Sequence, residues 1–343
     1  MSIQMIDGIR HLYCPRLNIV SHTAEYGLRY WLRNNNNFLP QSSASNNILE
    51  LYCYDGNELL GYLAKDIDRL SCAAVESLIS IQECKPNKKS LAWQMVKAYY
   101  AAFYAAHCTL KICGLGLTQI DQITIQRITR QASAYGYMVP SLNAGLYCIE
   151  LDEHTTQMRL YSVLRYDDNH RGLWKRYYEF IGLLCGTHIQ TGSTDSNCVR
   201  VKEPSEKSTL SVYEQLPVSD AEIIVERLEM LKTCLNRRGD MNWLSYIRNE
   251  VNYNHAFGVW YPYGSYKESF ADILRNKMIF TKSPLCEEFN VENNSDVLVF
   301  YKCCQLIVSI CMEIINDLAY RHPKNKSFLN YGVLRLLKNV QTS

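Results

Sequence analysis

Two residues of one short segment, Arg248 and His255, have side chains that could do chemistry together. The segment reads Arg-Asn-Glu-Val-Asn-Tyr-Asn-His. On a helix with about 100° per residue, the two side chains project about 20° apart. They would lie two turns apart, about 10 Å along the axis. Both would adjoin the apolar stripe formed by Leu244, Ile247 and Val251.

An arginine and a histidine in this arrangement are suited to phosphate chemistry. The guanidinium stays charged and offers a planar fork of donors to phosphate oxygens. The imidazole can take or give a proton near neutral pH. RNA can be cut without a metal when its own 2′-hydroxyl attacks the adjacent phosphate, leaving a 2′,3′-cyclic phosphate and a 5′-hydroxyl. Arg248 would stabilise the charge, His255 would move the proton, and Asn249 would orient the histidine or bind phosphate.

The same spacing is also compatible with a structural pair. In that interpretation a carboxylate binds Arg248 and a backbone carbonyl accepts from His255, because unpaired polar groups beside a buried face are costly.

Polar and aromatic residues near His255 could bind the substrate. Asn252 and Tyr253 lie on the same segment, and Trp260 belongs to the aromatic run that follows it. Aromatic rings can stack on unpaired bases, although rings in a turn can also pack on the body of the protein. The run consists of Phe257, Trp260, Tyr261, Tyr263 and Tyr266.

The elements that must position these residues are mostly helices. The most apolar one spans about 90–113, with Gly114 as its C-terminal glycine and His107 as a core histidine on its apolar face. Helical spacing predicts five further helices, at 65–82, 118–136, 171–185, 219–235 and 296–321. Two β-hairpins are predicted, one over 48–63 around Asp55-Gly56-Asn57 and one joining 146–149 to 158–164.

Two segments together resemble the HEPN superfamily. The helix AYYAAFYAAHCTLKICG (98–114) is similar to the superfamily's first long helix, with its Tyr-Tyr-small-small-Phe pattern. The segment RNEVNYNH resembles the second signature, in which Arg248, Asn249 and His255 fill the arginine, polar and histidine places. The resemblance implies a helical bundle that pairs as a dimer, with the two Arg/His helices meeting across a cleft. Many members are metal-independent ribonucleases of toxin, antiphage and CRISPR-linked systems.

The resemblance also implies an insertion. More than a hundred residues separate the two signatures, so the chain would carry a large insertion at about 115–218. The gap between Arg248 and His255 is at the long end of the family's range.

Composition narrows the class of protein. Apolar residues make up 47% and charged residues 20% of the chain, as in a globular protein, and the net charge of +2 favours no strongly charged partner. The 14 cysteines include no Cys-x-x-Cys pair, so we expect reduced thiols and no metal site. No signal peptide and no apolar stretch of about 20 residues is evident, which predicts a cytoplasmic protein without a membrane partner. No cofactor motif is found.

The sequence therefore predicts a mainly α fold. Residues 1–85 would form a small N-terminal α/β region, and 86–343 a HEPN-like helical domain with a β-hairpin-containing insertion. We expect a homodimeric, metal-independent endoribonuclease that acts on RNA in a phage-defence or toxin–antitoxin system, with an antitoxin or defence protein as a possible partner. The alternative is a non-catalytic HEPN-like module for dimerisation or RNA binding. A third interpretation is a regulatory protein whose N-terminal region senses a ligand.

Overall fold

The computed structural model describes residues 6, 9–34, 37–42, 48–82, 91–138, 142–152, 157–162, 169–185, 218–260 and 295–341. The helices are α1 (Leu28–Asn34), α2 (Gly56–Gln82), α3 (Ala92–Ile112), α4 (Gln122–Ala134), α5 (Asn169–Leu184), α6 (Val218–Leu235), α7 (Trp243–Tyr253), α8 (Asp296–Tyr320), α9 (Phe328–Tyr331) and α10 (Val333–Gln341). The strands are β1 (Phe38–Ser42), β2 (Ile48–Cys53), β3 (Leu115–Ile120), β4 (Gly145–Leu151) and β5 (Gln157–Ser162). The fold is mainly helical with a small antiparallel sheet, as predicted.

Helix α3 lies at the centre of the helical part. It packs against α2, α5, α7 and α8, and most of its residues are buried. Six of those buried residues are alanines, whose small side chains let neighbouring helices approach closely. Those alanines are Ala92, Ala98, Ala101, Ala102, Ala105 and Ala106. The apolar pattern thus predicted the central position of this helix correctly, and Gly114 follows it with φ +68°.

The five strands form one antiparallel sheet in the order β1-β2-β5-β4-β3. The predicted hairpin between β4 and β5 is confirmed, with Ile149 opposite Leu160 and Leu151 opposite Met158. One face of the sheet packs against α1 and α4 around a second apolar core that includes Trp31.

The hairpin predicted at 48–63 is wrong in its second half. Strand β2 forms as expected, but Gly56 begins helix α2, and β2 pairs with β1 and β5 instead. The Asp55 side chain accepts a hydrogen bond from the Asn57 backbone N–H at 2.8 Å, and the Asp55 carbonyl accepts from Leu59. Asp55 therefore stabilises a helix start where Asp-Gly-Asn suggested a tight turn.

The helix predicted at 118–136 begins later than expected. Residues Leu115–Ile120 form strand β3 at the sheet edge, and α4 follows from Gln122. Asp121 separates the two elements, because its carboxylate accepts from the Thr124 backbone N–H at 2.9 Å and caps the helix.

The other predicted helices are present. Helix α2 begins at Gly56, nine residues before the predicted start at 65, and the remaining ends differ by at most two residues. Among the described residues, α8 is the one helix long and apolar enough to span a membrane, which the sequence pattern had not led us to expect. In the structure, 72% of its most apolar window is buried, and it packs along α3. This is the environment of a core helix.

The predicted division at 85/86 runs through the sheet. Strands β1 and β2 come from the N-terminal region, whereas β3, β4 and β5 come from the segment 115–218. The main apolar core likewise contains residues from Ile6 to Val333. All 11 cysteines in the described part of the chain are free thiols, and most are buried.

Burial of His107 gives the fold a specific pH dependence. Desolvation and the nearby Lys111 charge lower the pKa of His107 to about 3, against 6.5 ordinarily. The unfolded state therefore binds one more proton between these values, so stability is full above pH 6.5 and falls as the pH drops. We expect His107 to account for a loss of about 2 kcal/mol between pH 7 and pH 5.

Urea denaturation at both pH values checks this expectation. The His107→Gln variant should lose less stability on acidification than the wild-type protein does, and the exposed-residue control His11→Gln should behave like wild type. An identical pH response in all three proteins would contradict the assignment.

Candidate functional site

Helix α7 carries Arg248 on its buried face. Leu244, Ile247 and Val251 lie on the same face and are completely buried, which fixes the rotation of the helix against α3. Arg248 is drawn inward with them and is 9% exposed. The predicted apolar stripe is therefore confirmed, and Arg248 adjoins it as expected.

His255 lies beyond the helix, which corrects the helical-wheel argument. Helix α7 ends at Tyr253, and His255 has left-handed backbone geometry with φ +51°. The wheel position assigned to His255 was therefore wrong, because the helix does not continue to it. Asn254, at the helix end, donates to the Glu250 carboxylate at 2.9 Å.

The imidazole of His255 is exposed and contacts the indole ring of Trp260. Its ring centroid is 5.2 Å from that of Trp260. The Trp260 Nε1–H donates to the Val251 carbonyl at 2.6 Å, which folds the chain back onto the end of α7. Trp93, in the first turn of α3, packs edge-on against Trp260 with centroids 5.7 Å apart. These rings hold His255 at the surface.

Arg248 has aromatic neighbours and, in the part of the chain that the structure describes, no counter-charge. Its guanidinium carbon is 5.1 Å from the Tyr99 ring centroid and 6.0 Å from that of Tyr100. Its buried Nε has no hydrogen-bond partner. Among the described residues, no carboxylate lies within ion-pair distance of it. The carboxylate pairing considered from the sequence is thus not seen in this part of the chain.

Tyr99 is a neutral phenol and does not serve as the missing anion. Burial raises its pKa to about 12, although hydrogen bonds with Ser245, Trp174 and Arg248 and the charge of Arg248 oppose the rise. The hydroxyl is therefore protonated at neutral pH. Arg248 keeps an uncompensated positive charge in a place that excludes most of the solvent.

Other buried cations of the protein are compensated. Lys111 Nζ lies 2.9 Å from an Asp66 carboxylate oxygen. Arg176 pairs with Glu150 and, at 3.6 Å, with Glu179. Burial of a charge without such a partner is unfavourable, so an empty place beside Arg248 would favour an anion.

Arg248 and His255 lie at two ends of one face of α3. Trp93 and Tyr100 are seven residues apart and share a face, with a rise of about 10 Å between them. Arg248 lies over Tyr100, and His255 contacts Trp260, which packs on Trp93. The two side chains therefore lie along the same face of α3 without being brought together at one end of it.

The remaining predicted site residues lie on the outer surface of α7 or beside its end. Asn249 is exposed, Asn252 is half-buried, and Tyr253 is 69% exposed. Trp260 is half-buried and contacts His255. Tyr261, Tyr263 and Tyr266 lie outside the described residues. Within the described ranges, no group of three or more His, Cys, Asp or Glu residues could hold a metal ion.

Sequence reasoning did not identify Trp93, Ser245 or His170 as neighbours of this site. Trp93 belongs to the apolar helix predicted at about 90–113, yet it is 58% exposed. His170 and Ser245 carried no motif. Their positions depend on how helices α5 and α7 pack against α3. The spacing of residues within one helix does not determine that packing.

Comparisons with known proteins do not assign this chain to a family. Neither a family model, nor a curated protein, nor a solved structure matches this chain.

The absence of a counter-charge gives a stability prediction. Arg248→Met should lower the free energy of unfolding by less than about 2 kcal/mol, since it removes only the cation–π contacts and relieves a buried charge. Arg176→Met should lower it by about 3–5 kcal/mol, because two carboxylates lose their partner.

Chemical denaturation of the two variants and the wild type measures both values. A loss at Arg248 as large as that at Arg176 would mean that Arg248 has a structural ion partner after all.

Proposed function

We propose that the protein is a metal-independent endoribonuclease of the HEPN type. The observation that carries the proposal is the buried guanidinium of Arg248, which has an unpartnered Nε and no carboxylate within reach in the described part of the chain. A phosphate group would supply both the missing charge and the missing acceptor. The guanidinium would stabilise the charge that gathers on phosphorus during attack by the 2′-hydroxyl.

In this proposal His255 moves the proton and Asn249 supports the site. His255 is exposed, so a substrate can reach it, and the Trp260 ring restricts its position. A homodimer that joins two α7 helices would bring a second arginine and histidine to this face of α3. The exposed side chains of Asn249 and Tyr253 leave this surface of α7 available for RNA or for a second copy.

The aromatic side chains around His255 support RNA as the substrate. Trp93 and Tyr253 are exposed, and Trp260 is half-buried between Trp93 and His255. Exposed rings can stack on the unpaired bases of a single strand while a guanidinium further along the same face binds its phosphate. We place the protein in the cytoplasm as an effector of phage defence or of a toxin–antitoxin pair, with its antitoxin or defence partner still to be found.

The second candidate function is a non-catalytic HEPN-like module for dimerisation or RNA binding. It is favoured by the separation of Arg248 from His255 along α3, since binding requires no common reacting atom.

A cleavage assay in EDTA separates the two functions. The wild-type protein should produce 2′,3′-cyclic phosphate and 5′-hydroxyl ends from single-stranded RNA. His255→Ala should reduce the rate by about 10²–10⁴ and Arg248→Ala by about 10²–10³.

Two surface variants control for the change of residue type. His11→Ala and Arg130→Ala alter an exposed histidine and an exposed arginine outside the proposed site, so both variants should cleave at the wild-type rate. Cleavage that survives His255→Ala, or that needs a divalent metal, would exclude the proposed mechanism.

Stacking at the exposed rings predicts a separate effect on binding. In the His255→Ala background, Tyr253→Ala should weaken the binding of a labelled single-stranded RNA by about 1–3 kcal/mol, because one stacked base loses its platform. Fluorescence anisotropy measures the affinity, and the melting temperature should not change, since the ring is exposed.

Tyr320 provides a matched control. It is 84% exposed at the end of α8, outside the proposed site, and Tyr320→Ala should leave RNA affinity unchanged. Equal affinity in the Tyr253 and Tyr320 variants would show that Tyr253 does not stack on RNA.

A further inference from the structure

Helix α1 has one buried face and one exposed face of tyrosine and arginine. The buried side chains, which pack into the second apolar core, are Leu28, Trp31 and Leu32. At about 100° per residue, Arg29, Tyr30 and Arg33 project within about 100° of one another on the opposite side. Tyr26, just before the helix, packs against Tyr30. We call these four exposed residues the α1 stripe.

The two tyrosines of the α1 stripe form a stacked pair. Their ring centroids are 4.1 Å apart, and the ring planes are 18° from parallel. Tyr26 is still 44% exposed and Tyr30 42% exposed after this contact. The Tyr30 backbone N–H donates to the Gly27 carbonyl at 3.0 Å, which fixes Tyr30 at the start of the helix. The pair is therefore an oriented aromatic surface, and little side-chain freedom remains to be lost when a flat ligand stacks on it.

The two arginines of the α1 stripe share one carboxylate. Oδ2 of Asp121 lies 3.6 Å from Nη2 of Arg29 and 3.5 Å from Nη1 of Arg33. Both contacts are longer than a charge-assisted hydrogen bond of about 2.7–2.9 Å. Oδ1 of Asp121 accepts from the backbone N–H and the hydroxyl of Thr124, at 2.9 and 2.7 Å. The carboxylate is thus used mainly to cap α4.

The arginine pair consequently keeps a net positive charge at the surface. The Thr124 hydrogen bonds, and then the two arginines, lower the pKa of Asp121, so it is ionised at neutral pH, but it supplies only one negative charge for two guanidiniums. The side chains of Arg29 and Arg33 are 59% and 45% exposed, so a ligand can reach their donors.

The surrounding layer is also basic. Arginine is the only charged residue type in α1 and in α4, the two helices that cover this face of the sheet. The exposed Glu25 precedes the stripe, and a hydrogen bond to it raises the pKa of Tyr26. The net charge of +2 for the whole chain therefore conceals a local positive surface that is complementary to a polyanion.

We propose that the α1 stripe binds single-stranded RNA, with bases stacked on the Tyr26–Tyr30 pair and phosphates bound by Arg29 and Arg33. The two arginines are one helical turn apart, about 6 Å along the axis, on the side where Tyr30 lies. Aromatic faces beside arginines are the common means of holding an unpaired strand without reading its sequence. The choice of RNA as the polyanion rests on the proposed ribonuclease function, to which the stripe adds a second place of attachment.

The stacked rings favour a nucleic acid over an acidic polypeptide as the ligand. Carboxylates could bind the two guanidiniums, but the negative faces of the tyrosine rings would repel them. A strand of RNA uses both halves of the stripe, because each nucleotide carries a flat base and a phosphate.

The salt dependence of binding tests the arginines. The probe is a labelled 2′-O-methyl oligouridine, which has no free 2′-hydroxyl and so cannot be cut by the proposed mechanism. Fluorescence anisotropy between about 50 and 200 mM salt gives the slope of log K against log salt concentration. Each phosphate contact in a single strand contributes about 0.7 to this slope, so the double variant Arg29→Gln/Arg33→Gln should reduce its magnitude by about 1.4.

Arg69 provides the matched control for the arginine pair. It is 66% exposed on α2 and likewise forms a long ion pair, 3.7 Å from Asp66. Arg69→Gln should leave the slope unchanged. An unchanged slope in the double variant, or an equal reduction in Arg69→Gln, would overturn the role of the arginines.

Tyr30→Ala tests the stacked pair separately. It should weaken binding about 5–150-fold, because bases lose the stacking surface, and it should leave the salt slope unchanged, because no charge is removed. Tyr331→Ala, which removes a 59% exposed ring from α9, should bind as wild type does. Equal affinity in the two tyrosine variants would exclude stacking on α1.

Glu25→Gln predicts a change of the opposite sign. Loss of the negative charge beside the rings should strengthen binding of the oligouridine, an effect that partial unfolding would not produce. Weaker binding in this variant would contradict the electrostatic argument. Displacement of the oligouridine by polyglutamate at an equal concentration of charged groups would also overturn the proposal, since the stripe would then bind acidic polypeptides.

These outcomes separate the α1 stripe from the ribonuclease function. If the wild-type protein binds the oligouridine through the stripe but does not cleave ordinary RNA, the ribonuclease function fails and the stripe is supported. If it cleaves RNA and the α1 variants bind the oligouridine as wild type does, the stripe alone fails.

Discussion

The enclosure of helix α3 is the constraint on which the rest of the structure depends. Four helices and strand β3 pack around it, so its polar side chains must find partners inside the protein. Lys111 does so through Asp66, and Tyr99 through His170, Ser245 and Trp174. His107 meets the same constraint by remaining neutral, because burial lowers its pKa. The Lys111 ion pair joins α2 to α3, and the Tyr99 hydrogen bonds join α5 and α7 to it.

Arg248 is the exception to this rule. The structure could compensate the charge with a carboxylate, as it does for Arg176, or replace it with an apolar side chain. Among the described residues the structure does neither: the guanidinium lies over two tyrosine rings, whose π faces attract a cation, and its buried Nε has no hydrogen-bond acceptor. A buried N–H donor without an acceptor favours a ligand that supplies one. This supports a binding role for Arg248 and a site complementary to phosphate.

The sequence predicted the elements with strong local signals. Helices α3 and α8 follow from long apolar periodicity, and β4 and β5 follow from alternation on both sides of a turn. The hairpin prediction at Asp55-Gly56-Asn57 was wrong because the same residue types favour a hairpin turn and a helix start. The prediction that His255 lies on the helix was wrong for a related reason. No proline or glycine marks the end of α7 at Tyr253, and the Trp260 hydrogen bond to Val251 that accompanies it is not local.

The surroundings of Arg248 could not be predicted, because they are assembled from distant parts of the chain. Tyr99 precedes His170 by 71 residues and Ser245 by 146. Periodicity indicated which face of each helix is buried, but not which neighbour it meets. The Tyr-Tyr pair of α3 was the nearest signal, since it formed part of the resemblance to the HEPN superfamily. That resemblance gave no indication of His170.

Unfavourable features concentrate at α7 and the turn that follows it. Arg248 is a buried cation without a counter-charge, and both His255 and Phe257 adopt left-handed backbone geometry without being glycine. Each left-handed residue costs of the order of 1 kcal/mol relative to glycine, and the hydrogen bonds of Trp260 to Val251 and of Leu91 to Val259 hold the turn in place. An apolar residue at 248 and glycine at 255 would suit the fold better. Strain and uncompensated charge within ten residues are what a functional site produces when selection acts on binding or chemistry rather than on stability. This coincidence supports the function of the segment independently of its resemblance to any family.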